Sequence, residues 1–359
     1  MSLELREHSK YGIAVPTSMG VRITPPNGAP VHTSNTFYMQ ATSAESNVIN
    51  VSSSLGIEGL VLTNFVKDNP ISYFIKSELR RRNIAYAGPD IPQGGPWGYR
   101  HQFNIADSGF GTRGPRVHND RAGEVGRILN AKDFDFDRIF GEDGVQILHL
   151  SGLIAAISEE TTRFCIDTIH AAKKHGTLIS FDMNHRATFW KGREKELRAS
   201  FTEMVNMTDI LIGNEEDYQL CLGIEGPKAG GTDLAAQIDG FKEMVMRIKN
   251  TFPNASVFGN TLRQVISVGE HLWGAISLFG DTWAVIEPRP IQILDRIGGG
   301  DGFASGLLYG ILTGMEPEEA TGFAWATGAL ATTVLEDYAS PIDEDMVWSI
   351  YKGNARVKR

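Results

Sequence analysis

The chain has 359 residues, 42% apolar and 21% charged, enough for a sizeable core and consistent with one large α/β domain spanning residues 1–359. Lys and Arg number 34 against 43 Asp and Glu, a formal charge of −9 without any basic cluster, which argues against a nucleic-acid partner. No run approaches the roughly 20 apolar residues that span a bilayer, and the charged first ten residues are unlike a signal peptide. A cytoplasmic location is therefore expected, with Cys165 and Cys221 unpaired.

In chain order, the first 120 residues are rich in turn punctuation. Short strand runs at 21–24 and 97–105 are broken by Pro25-Pro26, Gly28, Pro30 and Gly94-Gly95-Pro96. This pattern predicts antiparallel strands leaving a larger sheet as a small β lid, built from segments near 15–40 and 88–118. Between them lie a predicted strand at 59–66 and a helix at 69–82. From about residue 145 strand and helix alternate. A strand at 146–150 precedes a helix capped by Ser158, with Glu159 and Glu160 suiting its positive first turn. That helix puts Phe164, Cys165, Thr168, Ile169 and Ala172 on one face and ends at Gly176. A strand at 178–181, a helix at 193–207 and a strand at 210–212 follow. Such alternation predicts a doubly wound, mostly parallel sheet with helices on both faces.

The sharpest local feature is Asp295-Arg296-Ile297-Gly298-Gly299-Gly300-Asp301-Gly302, entered by a strand-like run at 291–294 and left by a helix at 301–313. Three glycines at a helix start leave backbone N–H groups clear, and the helix dipole adds positive potential, so the element suits an anion. Asp301 beside a phosphate makes sense as the acceptor of a proton from an attacking hydroxyl. A plain glycine turn with an Asp near the helix start reads from the same residues. Asn214-Glu215-Glu216-Asp217 has a similar plain reading, an N-cap with an acidic first turn. Gly109-Phe110-Gly111-Thr112-Arg113-Gly114 fits G-x-G-x-x-G, but Pro115 and the lid-like surroundings exclude a dinucleotide turn. No P-loop or zinc-ligand spacing occurs.

The 295–301 element resembles the C-terminal signature of the ribokinase-like (PfkB) carbohydrate kinases, usually Asp-Thr-x-Gly-Ala-Gly-Asp. Its Asp-Arg-x-Gly-Gly-Gly-Asp form is similar to the 2-keto-3-deoxygluconate kinase branch. Phe181-Asp182-Met183-Asn184-His185-Arg186 with Trp190, Asp120-Arg121-Ala122, His149-Leu150-Ser151-Gly152 and Thr261-Leu262-Arg263 resemble branch patterns in the same order. The resemblance implies a ribokinase-like fold and Mg2+-dependent transfer of the ATP γ-phosphoryl group to the primary hydroxyl of a sugar acid, 2-keto-3-deoxygluconate.

Roles follow by position. Asp301 is implied as the general base, and Gly298, Gly299 and Gly300 as the anion hole. Asn47, Asn184 and Arg186 are implied on the substrate, with Arg186 on its carboxylate and Arg113 and Arg116 as weaker candidates. Asp295 would position substrate or a nearby monovalent cation such as K+. Asn214, Asp217, Thr261 and Arg263 would lie near the nucleotide, with Mg2+ carried by ATP. A homodimer or higher oligomer through the lid is also implied.

The sequence departs from the family at Thr42-Ser43, where a glycine pair is usual, at Thr17-Ser18, at Glu336-Asp337, and at Asp217 in place of Glu. The first two fall on the sugar side. They keep open another sugar, such as fructose or a different keto-acid sugar, and a non-catalytic relative that binds sugar or nucleotide.

Overall fold

The computed structural model describes residues 3–228, 234 and 237–354. The chain opens with β1 (Tyr11–Pro16), then leaves the body for β2 (Gly20–Thr24) and β3 (Tyr38–Thr42). It returns through α1 (Ala44–Ser54) to β4 (Gly59–Leu62), followed by β5 (Phe65–Val66), α2 (Pro70–Arg81), β6 (Ile84–Ala87) and β7 (Asp90–Ile91). A second excursion forms β8 (Gln102–Asp107) and β9 (Arg116–Asp120). Alternation then begins with β10 (Val145–Ser151), α3 (Gly152–Ala156), α4 (Glu159–Lys174) and β11 (Leu178–Asp182). It continues through α5 (Ala187–Trp190), α6 (Glu194–Asn206), β12 (Ile210–Gly213), α7 (Glu215–Leu222), α8 (Ile238–Thr251) and β13 (Val257–Ser267). The meander β14 (Glu270–Phe279) and β15 (Thr282–Gln292) leads to α9 (Gly299–Leu312), α10 (Pro317–Ala331) and α11 (Glu344–Tyr351).

Among the described residues, the large sheet runs β15-β14-β13-β12-β11-β10-β1-β4-β6, parallel from β6 to β13 and antiparallel at β14 and β15. A separate sheet, β3-β2-β8-β9, forms the lid. Strand alternation divides the core. Ala14, Leu60, Leu148, Leu150 and Leu211 face one layer with Phe164 of α4, Phe201 of α6 and Met244 of α8. Ile13, Val15, Val61, Ile147 and Ile212 face the other, with Val48 of α1 and Phe303 of α9.

The expected cap at Ser158 is present as a capping box with Thr161. Several boundaries need correction. The 59–66 run is two strands, because Thr63 and Asn64 turn the chain between separate partners, β6 and β7. The 97–105 run holds strand only from Gln102, since Gly98 packs tightly in a turn against the Gln93 carbonyl. The strand before the glycine element ends at Gln292, and α9 starts two residues earlier than expected, at Gly299. Gly109–Gly114 is a turn at the lid, closed by a Phe110–Arg113 bridge.

Helix α9 lies close against α10 because small residues line its face. A Cβ added at Gly306 would stand 2.0 Å from Thr327 Oγ1 and 2.8 Å from the Ala324 Cα. Gly306→Val is expected to lower unfolding free energy in urea by about 1–3 kcal/mol, the ordinary range for overpacking.

Candidate active site

The strand order reverses direction at β1: the chain runs outward from it to β4 and β6 on one side and to β10–β13 on the other. Open parallel sheets bind ligands at the carboxyl ends of the strands beside such a reversal. Here that place holds a buried carboxylate that sequence reasoning passed over. Glu45, in the first turn of α1, accepts hydrogen bonds from Thr17 Oγ1 just after β1 and from Ser151 Oγ at the end of β10. In sequence it reads as an ordinary acidic first-turn residue.

Two residues beyond Glu45, Asn47 donates from Nδ2 to Asp301 Oδ2 at 2.9 Å, so α1 and α9 meet at the proposed base. Asp301 is the third residue of α9 and keeps a partly exposed edge. Loss of water around the carboxyl pushes it up to about 7, against the opposing pull of the Asn47 amide and the Arg186 guanidinium. A carboxyl poised there is suited to taking a proton near neutral pH. No side chain caps α9. Gly298 adopts φ 85°, and a Cβ there would stand 2.2 Å from the Asp337 carbonyl oxygen, so glycine is required. Above Gly300 a Cβ would meet nothing within 4 Å. The first turn of α9 thus borders open space at Gly300, where an anion could approach its amides.

Arg186 N-caps α5 from an exposed position. Its guanidinium donates to the His185 carbonyl at 2.9 Å and, among the described residues, makes no ion pair within 4 Å. Its positive charge opposes the upward shifts that burial gives Asp182, Asp217 and Asp301, so it lies near all three carboxyls. Asp182 is held well above the usual carboxylate range by burial, and then by Asp217 and Asp301. Between Asp182 and Arg186, Asn184 is buried with φ 35°, its N–H donating to Asp182 Oδ1 at 3.1 Å.

Other candidates have different tasks. Asp217 closes a capping box with Asn214, accepting the Asn214 N–H at 3.1 Å, and its other oxygen accepts the His185 N–H at 3.0 Å. It therefore fastens the β12–α7 corner to the segment after β11. Arg113 bonds Asp107 at 2.6 Å and the Gly28 carbonyl, a pairing internal to the lid, and Arg116 opens exposed β9. Thr261 and Arg263 lie on β13, where Arg263 senses Arg296 and the acidic start of α7. Arg296, given no role from sequence, lies near enough to Arg263 for their charges to repel. Asp295 is fully buried in an ion pair with Arg22 of β2, which also pairs with Asp337. A buried, paired Asp295 does not face a substrate.

The unusual residues are also engaged. Thr42 Oγ1 donates to Asp337 Oδ2 at 2.8 Å, Ser43 caps α1, and Ser18 donates to Glu124 at 2.5 Å. Among the described residues, no cluster of three His, Cys, Asp or Glu is arranged to hold a metal, both cysteines are free and buried, and no helix is long and apolar enough to cross a membrane.

A model of the pfkB family carbohydrate kinases matches residues 143–344. A 2-dehydro-3-deoxygalactonokinase from Haloferax volcanii is 25% identical over 343 residues, covering 94% of this chain and 96% of its own. A 5-dehydro-2-deoxygluconokinase from Clostridium tetani is 27% identical over 212 residues, 58% of this chain and 55% of its own. The solved 2-dehydro-3-deoxygluconokinase of Thermotoga maritima superposes with a TM-score of 0.85 at 24% identity, covering 97% of this chain and all of its own.

Proposed function

The chain belongs to the pfkB family of carbohydrate kinases, and from that premise we propose that it transfers the ATP γ-phosphoryl group to the primary hydroxyl of 2-keto-3-deoxygluconate. The observation that carries the acidic substrate is Arg186: a guanidinium at the mouth of the crevice, with no ion-pair partner within 4 Å among the described residues. Its planar fork suits a carboxylate. The names of the Haloferax and Thermotoga relatives both specify a 2-keto-3-deoxy sugar acid, which supports the same class.

In this reading Asp301 takes the hydroxyl proton as the sugar oxygen attacks the γ-phosphorus and the bond to the bridging oxygen of ADP breaks. The Gly298–Gly300 amides stabilise charge on the transferring phosphoryl oxygens. Mg2+ bound to the ATP phosphates would neutralise part of their charge. Carried by ATP, the ion would lie near Asn214 and Asp217 at the start of α7. Asn47 orients Asp301 through its 2.9 Å bond, Asn184 reaches the sugar, and the lid excludes water that would hydrolyse ATP.

The test is ADP release with Mg-ATP and a panel of 2-keto-3-deoxygluconate, its galactonate epimer, 2-keto-gluconate, fructose and ribose. Turnover with the keto-deoxy acids alone is expected. Arg186→Ala should raise KM for them about 10–100-fold with a smaller change in kcat, as for a lost charge-assisted pair. Preference for fructose would discard the acid reading while keeping Asp301 and the glycine element.

Homodimerisation through the lid belongs to the same proposal. The outer strands β3 and β9 expose Tyr38, Met39 and Val117. Light scattering should give twice the chain mass, and Met39→Glu should give the monomer.

A further inference from the structure

The resemblance leads one to expect an exchangeable monovalent cation beside Asp295, but the residues here do not fit one. Asp295 Oδ2 is paired with Arg22 Nη2, and its Oδ1 accepts the Ile297 N–H at 3.0 Å. Asp337 Oδ1 is paired with Arg22 Nη1, and its Oδ2 accepts from Thr42 Oγ1 at 2.8 Å. All four carboxylate oxygens already have a donor, and the side chains are 0%, 0% and 3% exposed for Arg22, Asp295 and Asp337. Two buried carboxylates without a cation between them would repel strongly and favour opening.

We infer that the Arg22 guanidinium is a resident cation in that place, so that the glycine element keeps its shape and binds nucleotide without K+. Asp295 lies three residues before Gly298, and its bond to the Ile297 N–H turns the chain into the glycine element. Asp337 lies on the other side of Gly298, in carbonyl contact with it. By gripping both carboxylates, Arg22 fixes the two segments between which Gly298 is threaded. The remaining hold on the 335–338 segment is also internal. Gln40 donates to the Leu335 carbonyl at 3.0 Å and accepts the Asp337 N–H at 3.2 Å, and Arg82 stacks over Tyr338 at 3.8 Å. Since Arg22 and Gln40 come from the lid strands β2 and β3, the lid root and the anion hole are one electrostatic unit. Arg22 touches neither substrate by this account and is a positioning residue.

The experiment compares KCl, NaCl and tetramethylammonium chloride at constant ionic strength, reading the unfolding midpoint of the full chain and the calorimetric Kd of a Mg2+-bound non-hydrolysable ATP analogue. For the wild type we expect a midpoint constant to within 1 °C or so and a Kd constant to within about twofold. A midpoint at least 3 °C higher in K+, or a Kd about tenfold tighter, would overturn the inference. R22M should bind the analogue at least about tenfold more weakly in tetramethylammonium, with partial recovery in K+ or low guanidinium. Wild-type affinity for R22M in tetramethylammonium would also overturn it. Should R22M not fold, the wild-type ion series decides alone. No sugar is present, so failure here is separate from failure of the substrate proposal.

Discussion

Asp301→Asn is expected to fold and to lose about 10²–10⁴-fold in kcat, the range for a missing general base. The substitution keeps the size of the side chain and the packing of α1 on α9 while abolishing proton acceptance. Because burial lifts the Asp301 carboxyl to about 7, wild-type kcat/KM should rise about tenfold per pH unit below neutrality and level off above it. The asparagine variant should lack that limb. Stability supplies an independent readout. The carboxyl has an unfolded value near 3.9, so between about pH 4 and 7 the folded chain holds a proton that the unfolded chain has released. Stability from this group therefore falls as pH rises through that window, and above it the folded state carries a desolvated charge. Asp301→Asn should accordingly raise Tm by about 2–4 °C at pH 8 and leave it unchanged at pH 4. Unchanged turnover, or a lower Tm at pH 8, would remove Asp301 from the role of base.

Gly298→Ala is expected to cost about 10²–10³-fold in kcat, comparable to the loss of an anion-hole donor. The left-handed φ of 85° disfavours any Cβ, and the Asp337 backbone stands 2.2 Å from where it would go. Either the first turn of α9 tilts or the 337 segment retreats, and both misdirect the amides proposed to hold the phosphoryl group. Gly300→Ala makes the informative contrast. Its Cβ meets only open space within 4 Å, so Tm should hold while nucleotide affinity falls. Equal losses of stability in the two variants would mean that the glycines serve packing alone.

The alternating body was legible because each element there carries its own pattern. Leu148 and Leu150 against Ile147 divide between two faces, and Ser158 with its acidic first turn marks a helix start. The lid was legible as turn-rich sequence but not in register, since its strands are short and the pairing of β2 with β8 joins segments some eighty positions apart. Asp301, the proposed base, and the glycine element were legible as a contiguous motif. Arg22 was not. A lone arginine in a strand run reads as solvent-facing, and only the arrival of Asp295 and Asp337 turns it inward. Asp217 was set near the nucleotide by the resemblance alone, and its oxygens accept backbone N–H groups in the way the plain capping reading expects. The glycine-pair replacement Thr42-Ser43 kept another sugar open, and both side chains are taken up by hydrogen bonds to the protein itself.

The bond between Asn47 and Asp301 spans 254 positions, and the pairs made by Arg22 span 273 and 315. During synthesis strand β1 and helix α1 emerge early, yet the chemistry proposed for them is completed only when residues 295–337 have left the ribosome. Loop closure over such separations is slow compared with local helix formation. A nascent chain halted before residue 295 would carry Asn47 with no base to orient and a buried-to-be Arg22 with no counter-charge. Competence to transfer phosphate should therefore appear late and in one step during refolding, after the helical signal from the alternating segment has largely returned.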